Sequence, residues 1–341
     1  MKTCKIGIIT LPLHQNYGGV LQAYALCQVL KDNGFEPNVL LCHNRTLKQR
    51  IKNFFDKKNK ISRFVYKNIP ILHVEYADLY NSCAKSNIDT IIVGSDQIWR
   101  PDFFDVRISF CLWVKKESIK CISYAASFGL ENWHYSQAET EIAKKGIKHF
   151  KNISVREKSA VYLCKKYLDV SPEHVLDPTM LLDAAEYKKM CTPIHEKYIF
   201  SYLLAYSEKE NIECLKAFQN HYQLPLKKIF LTRNKILKRL CARPGIEEWL
   251  SLINGAKLMV TDSFHGVVFS IILKTPFYVL LNGGGGNSRI YSLLESLELE
   301  NRLITSVKEI KYNSIDWDNV YQHLNKMKKK SFDFLTKALY D

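Results

Sequence analysis

No two of the ten cysteines stand as CxxC. Positions 4, 27, 42, 83, 111, 121, 164, 191, 214 and 241 are scattered singly, which excludes a zinc ribbon and a thioredoxin-type redox motif. Most lie in apolar segments, where a free thiol behaves as a small hydrophobe. That usage fits a reducing cytosol. No run of about 18 apolar residues occurs, so no membrane span is expected. The opening MKTCKIGIITLPLHQ has no small-residue cleavage site, and polar NYGG follows directly. It reads as a first strand and not as a signal peptide. GxGxxG is absent, which excludes an ordinary NAD fingerprint. GxxxxGK[ST] is absent too, which excludes Walker-type triphosphate hydrolysis. There is no internal repeat, and the one low-complexity tract is the four glycines at 283–286.

Acids are also in short supply. Against 49 Lys and Arg there are 34 Asp and Glu, a net charge of +15. Such an excess invites a polyanion: nucleic acid, an anionic membrane face or a phosphorylated ligand. It is uneven. Arg45, Lys48, Arg50, Lys52, Lys57, Lys58, Lys60, Arg63 and Lys67 face a single acid, Asp56. Phe54, Phe55, Phe64, Val65 and Tyr66 interleave with them, a pattern that can lie on a membrane. A solvated insertion at residues 43–88, covering one domain edge, is the favoured reading. A second knot is Lys326, Lys328, Lys329 and Lys330, in a basic helical segment at 311–341. The remainder is ordinary for a globular enzyme, with 47% hydrophobic and 24% charged residues. A length of 341 residues suggests about two domains.

Short β-rich runs alternate with helical ones. Strands are expected at 5–10, 38–42, 89–94, 121–126, 153–157 and 174–177, with helices at 20–34, 136–149 and 159–168. Gly34 suits the residue just past a helix end. The pattern then restarts. Strands at 197–206, 227–232, 257–261 and 276–281 alternate with helices at 208–223, 245–256, 266–274 and 288–299, and 315–340 is helical. This alternation implies parallel sheets built from βαβ units. The fold class is α/β, with two Rossmann-like domains at 1–185 and 195–310 facing across a cleft, the expected binding site.

Ligands of open parallel sheets bind beyond the carboxyl ends of the strands, so the loops after strands carry the candidates. After the first strand come Asn16, Gly18, Gly19 and Gln22. The glycines allow close backbone approach, and the helix start favours an anion; the alternative is a plain turn. Next is GSDQIWRP at 94–101. Asp96 there can take a proton from an attacking hydroxyl, or with Ser95 cap the next helix. Trp99 can pack beneath it or present a platform to a sugar. Ser127, in AASFG, supplies a hydroxyl. Arg156 either pairs locally with Glu157 or holds a carboxylate or phosphate bidentately. In VTDSFHG, Asp262 or Ser263 caps a helix that carries His265 on its first turn, where an imidazole suits an anionic ligand. After the next strand, Gly285 and Gly286 can wrap phosphate oxygens and Arg289 adds charge.

NYGGVLQAYAL, GSDQIWRP, SYAASFG, SVREKSA, VLDPTMLLD, TDSFHG with KTPFYVL, and SRIYSLLESLEL followed by Arg302 occur in that order, from about residue 5 to 304. Together they resemble the polysaccharide pyruvyl transferase family. The resemblance implies a GT-B-like pair of domains, with the acceptor on the N-terminal side and the donor on the C-terminal side. It also implies transfer of pyruvate from phosphoenolpyruvate, as a ketal, to a sugar of a surface polysaccharide or its lipid-linked precursor. The family's histidine matches His265. Members often carry an arginine two residues earlier, where this chain has Ser263, which shifts donor contacts to Arg156 and Arg289.

The implied chemistry assigns roles. His265 is the general acid or phosphate-stabilising group, and Asp96 the candidate base. Arg156, Arg289, Ser263, Gly285 and Gly286 bind the donor. Asn16, Gly18, Gly19, Gln22, Trp99 and Ser127 line the acceptor side. Ketal formation needs no cofactor beyond phosphoenolpyruvate, and no ligand cluster suggests a metal. The expected setting is cytoplasmic, with the basic surface suited to the inner face of the membrane and no nucleic acid partner. The alternatives are a glycosyltransferase using a sugar nucleotide and, from another class, a non-catalytic basic protein binding membranes or nucleic acid.

Overall fold

A computed structural model describes residues 4–13, 16–43, 59–115, 119–204, 209–229, 243–281 and 286–341. The chain divides into two compact units. The first holds Met1–Leu182 with Lys326–Asp341, and the second Asp183–Asn325.

The first unit is one parallel seven-stranded sheet: β1 (Lys5–Ile9), β2 (Glu36–His43), β3 (Ile71–Glu75), β4 (Ile88–Val93), β5 (Lys120–Ala126), β6 (Phe150–Val155) and β7 (Glu173–His174), in the order β3-β2-β1-β4-β5-β6-β7. Ile6, Ile8 and Ile9 of β1 and Ile91, Ile92 and Val93 of β4 are fully buried. A parallel sheet covered on both faces reads as such an apolar run, without alternation. Its crossovers include α1 (Tyr17–Asp32), α2 (Lys60–Asn68), α3 (Leu79–Lys85), α4 (Val106–Ser109), α5 (Gln137–Gly146) and α6 (Lys158–Leu163). Helix α1 is buried from Tyr17 through Cys27, as befits a helix that is apolar all round. Asn16 caps it by accepting the Gly18 N–H at 3.0 Å. Gly34 follows with φ 83° and donates to the Lys31 carbonyl at 2.9 Å, so the expected C-terminal glycine does stop this helix.

The second unit repeats the scheme on five strands: β8 (Ile199–Tyr202), β9 (Leu226–Lys228), β10 (Leu258–Thr261), β11 (Phe277–Leu280) and β12 (Leu303–Ile304), in the order β12-β11-β10-β8-β9, all parallel. Around them lie α7 (Ala184–Lys188), α8 (Lys209–Tyr222), α9 (Ile246–Asn254), α10 (Phe264–Ile272) and α11 (Ser288–Ser296). The last helix, α12 (Trp317–Tyr340), starts in this unit, where the Tyr321 hydroxyl donates to the carbonyls of Ile271 and Ile272 at 3.1 and 3.0 Å. Its residues from Lys326 belong to the first unit. There Ser331 accepts the Leu176 N–H at 2.9 Å and Lys330 pairs with Glu173 at 2.8 Å.

The stretch 43–88 differs from a solvated insertion over its described part. Helix α2 buries Ile61, Phe64 and Val65, and the Phe64 ring meets Tyr24 of α1 edge-on at 5.5 Å. Strand β3 then pairs with β2 along Val39–His43. Phe64 and Val65 are therefore core residues and cannot enter a membrane surface. Tyr66, at 41% exposure, is the outward member of the set. Phe54 and Phe55 lie outside the described residues. Among the described residues, no helix is long and apolar enough to cross a membrane.

Candidate active site

In each sheet the strand order reverses at one seam: between β1 and β4 in the first unit, and between β8 and β10 in the second. Loops leaving the strands on either side of such a seam diverge, and the crevice they leave is where open α/β sheets take ligands. Most of the sequence candidates sit at these two seams.

In the first unit, α1 leaves β1 on one side of the seam and Ser95-Asp96 leaves β4 on the other. Asp96 is 2% exposed and has φ 71°, a left-handed conformation unusual outside glycine. Its backbone forms a parallel bridge to Ala126 and accepts the Ser127 N–H at 3.1 Å. Gly19 packs directly against its carboxylate: a Cβ on Gly19 would stand 3.2 Å from Asp96 Oδ2. Gln22 Nε2 donates to Thr10 Oγ1 and to the Gly19 carbonyl, both at 2.8 Å, and Thr10 Oγ1 donates to the Ser95 carbonyl at 3.3 Å. Asn16, Gly18, Gly19 and Gln22 thus share one corner with Asp96. Gln22 is fully buried, so it braces β1 against β4, and its Oε1 accepts no hydrogen bond among the described residues.

Arg156 follows β6 and turns toward the same corner. Its Nη1 lies 2.6 Å from Asp177 Oδ2 and 3.3 Å from Ser95 Oγ, and its Nη2 lies 3.4 Å from Asp96 Oδ1. Ser95 Oγ donates to the same Asp177 oxygen at 2.8 Å. Burial pulls the guanidinium toward neutrality, but the carboxylates of Asp177, Asp96 and Glu157 more than offset that, so its pKa is held above the ordinary arginine value. The nearby Glu157 accepts from the Ser127 hydroxyl at 2.9 Å and the Phe128 N–H at 3.2 Å. The Glu157 charge expected beside Arg156 does act on it, but its shortest contacts run to Asp177 and Asp96, and the side chain is only 1% exposed.

Trp99 requires a plain correction. It is fully buried, stacked on Phe110 at 5.0 Å, and its Nε1 donates to the Ser109 carbonyl at 3.2 Å. An indole with both faces in the core offers no platform to a sugar. Ser127 is likewise fully buried.

In the second unit, Thr261 closes β10 with Oγ1 donating to the Tyr202 carbonyl at 2.7 Å and accepting the Ser263 N–H at 3.0 Å. Asp262 does not cap α10. Its Oδ1 accepts the Leu204 N–H at 2.7 Å and so ties the β10 loop to the β8 loop across the seam. Ser263 occupies the N-cap position without a side-chain cap bond. His265 stands on the first turn of α10 at 5% exposure, its ring edge-on to Phe264 at 5.2 Å. The Arg289 guanidinium lies over that same Phe264 ring at 5.7 Å. One aromatic ring therefore neighbours both the imidazole and the cation. Gly286 precedes Arg289 with φ 85°, where a side chain is strained; Gly285 lies outside the described residues.

The sharp entry into α10 depends on Gly266. A Cβ there would fall 2.3 Å from Thr261 Oγ1 and 3.0 Å from Thr261 Cβ. Thr261 cannot swing away, because its hydroxyl holds Tyr202 and Ser263. Gly266→Ala is expected to lower unfolding stability by about 2 kcal/mol through overpacking, measured by urea denaturation, and to displace His265. Among the described residues, no group of three His, Cys, Asp or Glu side chains is arranged to hold a metal ion.

The architecture is shared with solved structures of low identity, which speak to the fold alone. A glycosyltransferase from Rickettsia africae superposes with TM-score 0.58 at 10% identity, covering all of both chains. A UDP-GlcNAc 2-epimerase from Methanocaldococcus jannaschii gives 0.54 at 14% identity, over 96% of this chain and 92% of that one. UDP-N-acetylglucosamine 2-epimerase from Rickettsia bellii gives 0.51 at 13% identity, over 98% and 96%. No curated protein matches the sequence. The two Rossmann-like units have a GT-B-like fold, and the matching family model makes the chain a transferase. More specifically, the chain belongs to the polysaccharide pyruvyl transferase family, whose model matches residues 16–284.

Proposed function

We propose that this transferase moves the pyruvyl group of phosphoenolpyruvate onto two hydroxyls of one sugar, in a surface polysaccharide or its lipid-linked precursor, as a ketal. The observation that carries the reading is the grouping of His265 and Arg289 around Phe264 at the start of α10. A donor with a phosphate and a carboxylate needs a cation and helix N–H groups to hold it. Its methylene carbon needs a proton donor. Arg289 and the start of α10 supply the first, and His265 the second.

His265 protonates C3, and C2 becomes electron-poor. One sugar hydroxyl adds to C2 and gives its proton to Asp96. The second hydroxyl adds to C2 as the C2–O bond to phosphate breaks; phosphate leaves with the electron pair and that hydroxyl's proton, and exchange with water passes the Asp96 proton back to His265. Asp96 acts as base in this scheme, and Asn16 and Gly18 form the acceptor's surroundings. Arg156, committed to Asp177 and Asp96, is no donor ligand in this scheme. Phosphoenolpyruvate is the co-substrate, and no further cofactor enters.

Thermal-shift titration tests the donor. Phosphoenolpyruvate at millimolar concentration is expected to raise the melting temperature of the wild type, and Arg289→Gln to weaken its affinity about tenfold, as loss of one charge-assisted contact does. A shift with UDP-sugars and none with phosphoenolpyruvate would instead make the chain a sugar-nucleotide glycosyltransferase.

A further inference from the structure

Three features of Asp96 converge. Its backbone is in the left-handed region at φ 71°, a conformation that costs an L-residue energy and persists only where the surroundings enforce it. One carboxylate oxygen is tethered to Arg156 Nη2 at 3.4 Å, while Arg156 is itself locked by Asp177 at 2.6 Å and Ser95 at 3.3 Å. The other oxygen rests on the Cα side of Gly19, where a Cβ would stand 3.2 Å away, so that a methyl group there would press Asp96 aside by a few tenths of an ångström. Gly19 is inside α1, is not in the left-handed region and has no conformational need to be glycine. In the first turn of α1 this backbone would accept alanine as readily as glycine, so its place here calls for another reason. The reason on view is the space occupied by Asp96.

We propose that Gly19 and Arg156 are positioning residues that fix the Asp96 carboxylate from opposite sides, at the β1/β4 seam. This rests on the proposed function, in which Asp96 accepts the hydroxyl proton. Gly19 sets how close the first turn of α1 approaches Oδ2, and Arg156 holds Oδ1. Neither touches the donor. The pair explains why an arginine after β6 is buried and why the third residue of α1 is glycine.

The experiment uses the full chain and measures phosphate release from phosphoenolpyruvate with a glycan and lipid-linked glycan extract as acceptor. Phosphoenolpyruvate affinity is followed by calorimetry and folding by thermal melting. Gly19→Ala is expected to melt at or above the wild-type temperature, to bind phosphoenolpyruvate unchanged, and to lose kcat about tenfold, because a few tenths of an ångström at a reacting group is costly. Its KM for phosphoenolpyruvate and its apparent KM for the extract stay as they were. Arg156→Lys is expected to lower kcat with unchanged phosphoenolpyruvate affinity. Should Arg156→Lys fail to fold, Gly19→Ala decides. Full kcat in Gly19→Ala overturns the inference, as does a raised acceptor KM at unchanged kcat, which would make Gly19 a lining residue. Loss of phosphoenolpyruvate affinity in Arg156→Lys would restore it as a donor ligand and also overturn the inference. A wild type that releases no phosphate from phosphoenolpyruvate overturns the proposed function, and the inference with it.

Discussion

Replacing His265 with glutamine is expected to lower phosphoenolpyruvate-dependent phosphate release by roughly 10²–10⁴-fold, the range over which a positioned general acid contributes, while phosphoenolpyruvate binding changes little. The substitution separates two roles. Glutamine keeps a hydrogen-bond donor of similar reach but cannot deliver a proton. If the histidine merely touched the phosphate, the glutamine donor would keep that contact and the turnover number would stay as it was. His265 stands on the first turn of a nine-residue helix whose residues are all buried, and its ring lies against Phe264. The side chain therefore has a fixed seat, and a polar replacement of similar size should leave the fold intact. Calorimetry on the variant and a phosphate-release assay decide the matter. Full turnover in His265→Gln would remove the histidine from the chemistry.

His265 was legible in the sequence because VTDSFHG places its signal locally. A buried strand ends, polar residues follow and a helix opens, so position along the chain equals position at the sheet edge. The same holds for Asp96 after β4 and for Asn16 to Gly19 after β1. What the sequence concealed lies in partnerships that cross the chain. The bond from Arg156 to Asp177 spans 21 positions and that to Asp96 spans 60, and no pattern of neighbours announces either. Glu157, adjacent to Arg156, was the visible partner, but it turns to Ser127 and Phe128. Asp262 offers the same lesson: it looks like a cap, yet it serves Leu204, 58 positions earlier. Trp99 misled for another reason. An aromatic beside GSDQ is equally compatible with a sugar platform and with a core anchor, and the companions that decide, Phe110, Phe128 and Phe150, lie on other segments. In the fold, α2 and β3 were hidden by the dense lysines and arginines around them. The buried residues Ile61, Phe64 and Val65 recur at helical spacing, and that was the signal available.

The largest stability effect is expected from Asp177→Ala. Removing it takes away the 2.6 Å ion pair and leaves Arg156 buried with the longer 3.4 Å contact to Asp96 and the nearby Glu157 carboxylate. A buried ion pair contributes little net stability compared with an apolar pair, because desolvation offsets the attraction. Removing one partner is different: the other charge stays buried with its closest counter-charge gone, at a cost of about 3–5 kcal/mol. Asp177 also accepts the N–H and hydroxyl of Thr179 at 3.0 and 2.7 Å through Oδ1, so the turn after β7 loses its anchor in the same step. For a unit of this size such a loss corresponds to a fall in melting temperature of about 10 °C. The exposed pair Lys189–Glu186, also at 2.6 Å, is the matched control. Its geometry is as close, but water screens it, and Glu186→Ala is expected to change stability by about 0.5 kcal/mol or less. Equal melting temperatures for the two variants would mean that Arg156 finds solvent or another anion when Asp177 is gone. A large difference would establish that this corner of the first sheet is held by charge sealed away from water, which is the condition under which Arg156 can fix Asp96 and not serve a ligand.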